Sequence, residues 1–103
     1  MKESTYHVFF GNLSNSLKID IVLSLMKKEK NVGELSKNLN VEQSKVSHAL
    51  SSLKKCNIVK VKQKGKSRIY CLNKKTIRPI FDLIDKHART FCGGTCEHCM
   101  ECG

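Results

Sequence analysis

The feature that most constrains this chain is a change of period near its middle. Up to Lys55 the apolar residues recur at helical spacing, and from Ile58 onward they alternate with lysine. Val32, Leu35 and Leu39 outline a short helix ending near Asn40. Glu42 to Lys55 outline a longer one, with Val46, Ala49, Leu50 and Leu53 on a narrow apolar stripe. Cys56-Asn57 ends it, because asparagine tolerates the left-handed conformation of a helix cap. In IVKVKQKGKSRIYCL, Val59 and Val61 alternate with Lys60 and Lys62, which is the period of a strand. Gln63 to Ser67 supply a turn and Arg68 to Leu72 return.

The flanking segments are helical too. Tyr6, Phe9, Phe10 and Leu13 sit at i, i+3, i+4 and i+7. Gly11, Asn12 and the run Ser14-Asn15-Ser16 are expected to interrupt that segment, with one of the last three capping the next. Leu17, Ile21, Val22, Leu25 and Met26 continue the period, and Lys27, Lys28 and Lys30 lie near the negative end of that helix dipole. Asn31-Val32-Gly33 is expected to be a short extended link. Ile77, Ile80, Phe81, Ile84, Ala88 and Phe91 outline a last helix, with Pro79 in its first turn where proline is tolerated. The fold class is therefore mainly α with a small β-hairpin. Two short helices, a tight connection at Asn40-Val41 and a basic hairpin together make a winged helix-turn-helix.

A chain of 103 residues has room for one modest core. Its net charge of +10 suits a polyanion, because neutralising a phosphate backbone releases counterions and drives binding. No stretch reaches the roughly 18 apolar residues of a membrane span. MKESTYHVFF is too polar and too short for a signal peptide. The expectation is a cytoplasmic protein, where clustered cysteines serve metal or redox chemistry more often than structural disulfides. With no tryptophan and few aromatics, the chain lacks a platform for base stacking. Double-stranded DNA is the expected partner.

The second helix of the pair would enter the major groove and the wing would lie along the phosphates. Its polar face carries Gln43, Ser44, Lys45, Ser47, His48 and Ser51. Gln43 can make paired hydrogen bonds to adenine, and Ser47 or His48 can meet several bases. Lys64, Lys66 and Arg68 are the expected phosphate contacts. The hairpin holds five cations (Lys60, Lys62, Lys64, Lys66 and Arg68), whose cross-strand repulsion would be unfavourable without an anion nearby.

These segments resemble the ArsR/SmtB family of metal- and stress-sensing repressors over nearly the whole chain to Phe91. LSNSLKIDIVLSL is similar to the family's L-x-[DN]-x-x-R-x-x-I-L segment, with Lys18 where arginine is usual. VGELSKNLNVEQSKVSHALSSLKKCNIV resembles its helix-turn-helix signature. Gln43, Val46, Ser47 and Leu50 fall on the Q-x-x-V-S-x-x-L core, and Ile58-Val59 on the usual leucine-valine. QKGKSRIYCLN resembles the wing. The resemblance implies a homodimer joined through the first and last helices, an inverted-repeat operator, and release of the repressed gene on ligand binding. It implies no enzymatic activity. Residues 1–91 then form the DNA-binding and dimerisation domain, and 92–103 a cysteine-rich C-terminal tail.

Two sensor sites of that family are not carried over. The C-V-C pair at the start of the first helix-turn-helix helix is replaced by Asn31 and Gly33. Asp85, His87, His98 and Glu101 match the D-x-H-x₁₀-H-x₂-E spacing of the last-helix zinc site. However, Asp85 falls eleven residues past the family register, and Gly93-Gly94 would break the helix. What remains is the tail CGGTCEHCMECG, in which Cys92, Cys96, Cys99 and Cys102 stand at C-x₃-C-x₂-C-x₂-C spacing. Four thiolates suit zinc or cadmium, and three suit arsenite or another soft ion. His98 or Cys56 could add a ligand. An iron-sulfur cluster, a thiol-redox pair and a tail that binds nothing are the alternatives. A metal-storage or chaperone module with an incidental basic surface is the reading from another class.

Overall fold

The computed structural model describes residues 2–93. The elements run α1 (Glu3–Leu13), α2 (Ser16–Lys27), α3 (Val32–Leu39), α4 (Gln43–Lys55), β1 (Val59–Lys64), β2 (Ser67–Leu72) and α5 (Ile77–Phe91). Helices α3 and α4 form the helix-turn-helix and the β1–β2 hairpin forms the wing. The chain divides into two units, residues 1–73 and 74–103, so that α5 stands in the second.

Helix starts follow local capping. Asn15 caps α2 by accepting the Lys18 backbone N–H at 3.1 Å. At α3 the cap is reciprocal: Asn31 Oδ1 accepts the Glu34 N–H at 2.8 Å, and Glu34 Oε1 accepts the Asn31 N–H at 3.0 Å. The stretch Asn31-Val32-Gly33, expected to be extended, is thus a cap followed by the first helical residues. A glycine costs a helix about 1 kcal/mol, and a capping asparagine returns about as much. Likewise α1 runs through Gly11 and Asn12 to Leu13 instead of breaking there. Partners on α2 and α4 hold Asn12 in place, as described below.

The turn between α3 and α4 depends on Asn40, whose φ of 55° lies in the left-handed region. The Asn40 and Val41 N–H groups both donate to Ser36 O, and Ser36 Oγ donates to Val41 O. Asn57, at φ 56°, closes α4 in the same way. Its N–H donates to Lys54 O, while Ile58 N–H reaches Leu53 O at 3.0 Å. The chain then reverses into β1.

Ile21 and Val22 of α2, Leu35 of α3, and Val46, Leu50 and Leu53 of α4 are fully buried together with Ile58 and Val59. Tyr70 and Leu72 complete the core from β2. Each such aliphatic side chain contributes about 1.5–3 kcal/mol relative to exposure. In the wing, Gly65 takes φ +60° at the first position of the two-residue Gly65-Lys66 turn. A glycine there is what a II′ hairpin needs.

The strand register removes the repulsion expected among the wing cations. Lys60 lies opposite Cys71, Lys62 opposite Ile69, Lys64 opposite Ser67, and Arg68 opposite Gln63. No cation of one strand faces a cation of the other. Val59, Val61 and Gln63 point to one face with Leu72, Tyr70 and Arg68, while the three β1 lysines share the other.

Lys30 adds a one-residue third strand. Its N–H donates to Tyr70 O at 3.1 Å, and its carbonyl accepts the Tyr70 N–H at 2.8 Å. The buried Lys30 ammonium donates to Ser24 O at 2.7 Å and Lys28 O at 3.2 Å, and so serves the carbonyl end of α2. Burial first, and then the Lys28 charge, lowers its pKa.

In the second unit, Pro79 occupies the third position of α5, where no intrahelical N–H is required. Leu83, Ile84 and Phe91 are exposed along this helix. The His87 ring lies 5.1 Å from that of Phe91. Cys92 ends the helix, its N–H donating to Ala88 O at 2.9 Å.

Candidate nucleic-acid interface

Helix α4 sorts its residues by period. Val46, Ala49, Leu50 and Leu53 point inward, whereas Gln43, Ser44, Lys45, Ser47, His48 and Ser51 are all exposed. At 3.6 residues per turn, Ser44, Ser47, His48 and Ser51 centre the face opposite the buried stripe. Gln43 and Lys45 lie at its flanks. Gln43 leans toward the start of α3: its Nε2 lies 3.9 Å from where a β-carbon on Gly33 would stand. Lys45 and His48 border an open cleft of about 430 Å³ with Asn15 and Lys18, between the start of α2 and the first half of α4. The exposed side chains on α4 are short or polar, so a base edge could be reached without steric conflict in a groove ≈ 12 Å wide.

The expected phosphate contacts of the wing are not equivalent. Lys66 sits in the turn and Arg68 on the core-side face of the hairpin, and both are exposed. Neither has an ion-pair partner among the described residues, and the same holds for Lys60. Lys62 and Lys64, in contrast, are both held by Glu29. Lys62 Nζ is 2.7 Å from Oε2 and Lys64 Nζ is 3.2 Å from Oε1. Hydrogen bonds from Lys62 and then Lys64 hold the Glu29 carboxyl below its usual range. Glu29 in turn raises Lys62. The anion that the basic hairpin called for is thus part of the chain itself.

A second cluster ties α1 to the recognition helix. Asn12 Oδ1 accepts from Lys18 Nζ at 2.9 Å and from Ser52 Oγ at 2.8 Å, while Asn12 Nδ2 donates to Cys56 Sγ at 2.8 Å. Lys18 Nζ also donates to Ser52 Oγ at 3.0 Å. Lys18, noted where the family resemblance has arginine, therefore joins three helices. Sequence reasoning missed Asn12, Ser52 and Glu29. Asn12 carried a weak signal as a polar residue inside an apolar helical run, and Glu29 carried none, since its partners lie 33 and 35 positions away.

Of the cysteine set, Cys92 is described at the end of α5 and is half-buried. Cys96, Cys99, Cys102 and His98 lie outside the described residues, as does Glu101. Asp85 and His87 are exposed on α5. Among the described residues, no group of three or more His, Cys, Asp or Glu side chains could hold a metal ion. Cys56 is half-buried, with its sulfur engaged by Asn12. No helix among the described residues is long and apolar enough to cross a membrane.

Comparison with known proteins agrees with this geometry. Residues 15–61, from the start of α2 into β1, match the family model described as bacterial regulatory protein, arsR family. Reduced HlyU from Vibrio cholerae is similar in structure, with a TM-score of 0.71 at 25% identity over 86% of this chain and 90% of that one. The transcriptional repressor BigR from Xylella fastidiosa gives 0.65 at 25% identity, over 82% of this chain and 80% of that one. A homodimeric winged helix-turn-helix DNA-binding domain from Mycobacterium bovis gives 0.79 at 18% identity, over 92% and 88%. Among proteins of curated function, none matches this sequence. Residues 15–61 thus carry the likeness to the arsR family of bacterial regulatory proteins, and the fold of the described residues is a winged helix-turn-helix.

Proposed function

We propose that this protein is a homodimeric transcriptional repressor that reads an inverted-repeat operator and responds to a soft ion through its C-terminal cysteines. One observation carries the DNA half: the exposed face of α4, built from short polar side chains, stands on the same unit as a wing whose Lys66 and Arg68 have no ion-pair partner among the described residues. Gln43, Ser44, Lys45, Ser47, His48 and Ser51 would meet base edges, and Lys66 and Arg68 phosphates. Two copies would place two recognition helices about one DNA turn apart, on half-sites ≈ 34–36 Å from centre to centre. Exposed Tyr6, Val8 and Phe10 on α1, and Leu83, Ile84 and Phe91 on α5, are the apolar surfaces such a dimer would cover.

The sensing half rests on donor chemistry. Cys92, Cys96, Cys99 and Cys102 would hold the ion as thiolates, at a spacing short enough for one shell. Bound there, zinc or cadmium would cross-link four of these sulfurs, and arsenite three. Lys86 and Arg89, one to two turns before Cys92, favour the thiolate forms. A dimer with DNA-competent and incompetent arrangements would then be biased by that cross-link.

Selecting bound duplexes from a random library and footprinting the enriched sequence tests the first half. A protected palindrome is expected, and protection without a discrete palindrome would refute operator reading. For the second half, anaerobically purified protein is assayed for zinc, iron and labile sulfide, then titrated with cadmium and arsenite while bound to that duplex. Operator affinity that ignores every thiophile would remove the sensor, and iron with sulfide would replace the ion by a cluster.

A further inference from the structure

We infer that Glu29 competes with the DNA backbone for Lys62 and Lys64, and so limits the sequence-independent share of binding that the wing contributes. This rests on the reading that the wing meets phosphates. Both carboxylate oxygens are occupied, one by each lysine, at 2.7 and 3.2 Å. Glu29 is also fixed in space: Lys30, the next residue, pairs with Tyr70 through two backbone hydrogen bonds at the free edge of β2. Alternation along that edge sends Lys30 inward with Tyr70 and Glu29 to the opposite face. That is the face Lys60, Lys62 and Lys64 share, as the register shows.

A phosphate approaching Lys62 or Lys64 must therefore displace the carboxylate or share the ammonium with it. All three groups are partly exposed, so the pair is weak enough to yield and strong enough to cost affinity. The local charge offered to DNA is one unit rather than two. Lys60, Lys66 and Arg68 offer their full charge, and the wing is thus graded along its length. A device of this kind lowers the sequence-independent part of the affinity for every duplex without touching the residues that meet base edges.

Fluorescence anisotropy with full-length protein and a 20-base-pair duplex of arbitrary sequence tests this across a salt series. Glu29→Gln should tighten binding by about threefold to tenfold at low salt and steepen the log–log salt slope by about 1. In a Lys62→Ala/Lys64→Ala background the same substitution should have no effect, which separates competition for these lysines from a general change in net charge. Unchanged or weaker binding by Glu29→Gln, or a gain that persists in the double-alanine background, would overturn the inference while leaving DNA binding intact. Failure of the unaltered protein to bind any duplex would instead remove the DNA-binding reading itself.

Discussion

Asn12→Ala isolates the contact that fastens α1 to the recognition helix. Asn12 is buried and makes three side-chain hydrogen bonds, to Lys18, Ser52 and Cys56. A hydrogen bond to a charged donor is worth about 1.5–3 kcal/mol and a neutral one about 0.5–1.5 kcal/mol. The thiol bond is the weakest of the three. Against these, Lys18 keeps Ser52 as an acceptor at 3.0 Å and is partly open to water. Alanine is also the better helix former, by roughly 0.6 kcal/mol. The net loss should be about 2 kcal/mol, or about thirtyfold in the folding equilibrium. Urea denaturation at fixed protein concentration would measure it, since the stability of a dimer depends on concentration. Pairing Asn12→Ala with Ser52→Ala should give a total well short of the sum, because both remove one bond. A loss below about 0.5 kcal/mol would show that the network contributes nothing and that α1 is held by apolar contact alone, and strict additivity would show that the Asn12–Ser52 bond contributes nothing.

Other consequences are equally direct. Leu50→Ala empties a fully buried position between α4 and its neighbours and should cost about 2–5 kcal/mol in the same urea assay. Lys66→Ala should weaken binding to all duplexes alike and lower the salt slope by about 0.9, whereas Gln43→Ala should chiefly relax sequence preference; equal salt slopes for Lys66→Ala and the unaltered protein would take the wing tip out of the interface. The Glu29 clamp has a defined pH window. Glu29 has a lowered folded pKa, so its contribution is present above the usual carboxylate value of 4.5 and is lost as pH falls through the lower folded value. Lys62 is raised, so its contribution holds below 10.5 and is lost as pH rises through the higher folded value. Carboxyl-carbon NMR shifts of Glu29 should accordingly titrate below the usual 4.5, and a titration at or above that value would contradict the ion pairs.

Much of this protein is local and so was legible in the chain. Helical spacing in α2, α4 and α5, the asparagine stops at Asn40 and Asn57, and the alternation in β1 each depend on neighbours a few residues apart. Their physics is therefore written in order along the sequence. The sorting of α4 into a buried stripe and an exposed polar face follows from the same period. Two local readings failed where a weak signal was outweighed: Gly33 did not prevent α3 from starting, because Asn31 and Glu34 cap each other. Gly11 and Asn12 did not end α1, because Asn12 has partners on α2 and α4.

The remaining features depend on which distant residues the fold brings together. Neither Glu29 against Lys62 and Lys64 nor Asn12 against Cys56 can be found by spacing, since an ion pair or hydrogen bond across 33 to 44 positions leaves no periodic trace. The strand register belongs with them. Sequence counted five cations in one hairpin and expected conflict, but pairing offset them so that none opposes another. The sequence by itself determined the helices, the wing and the charge this protein presents to a phosphate backbone. Only the tertiary structure decided which of those charges stand clear and which are already paired, because an ammonium binds whichever anion the fold places nearest.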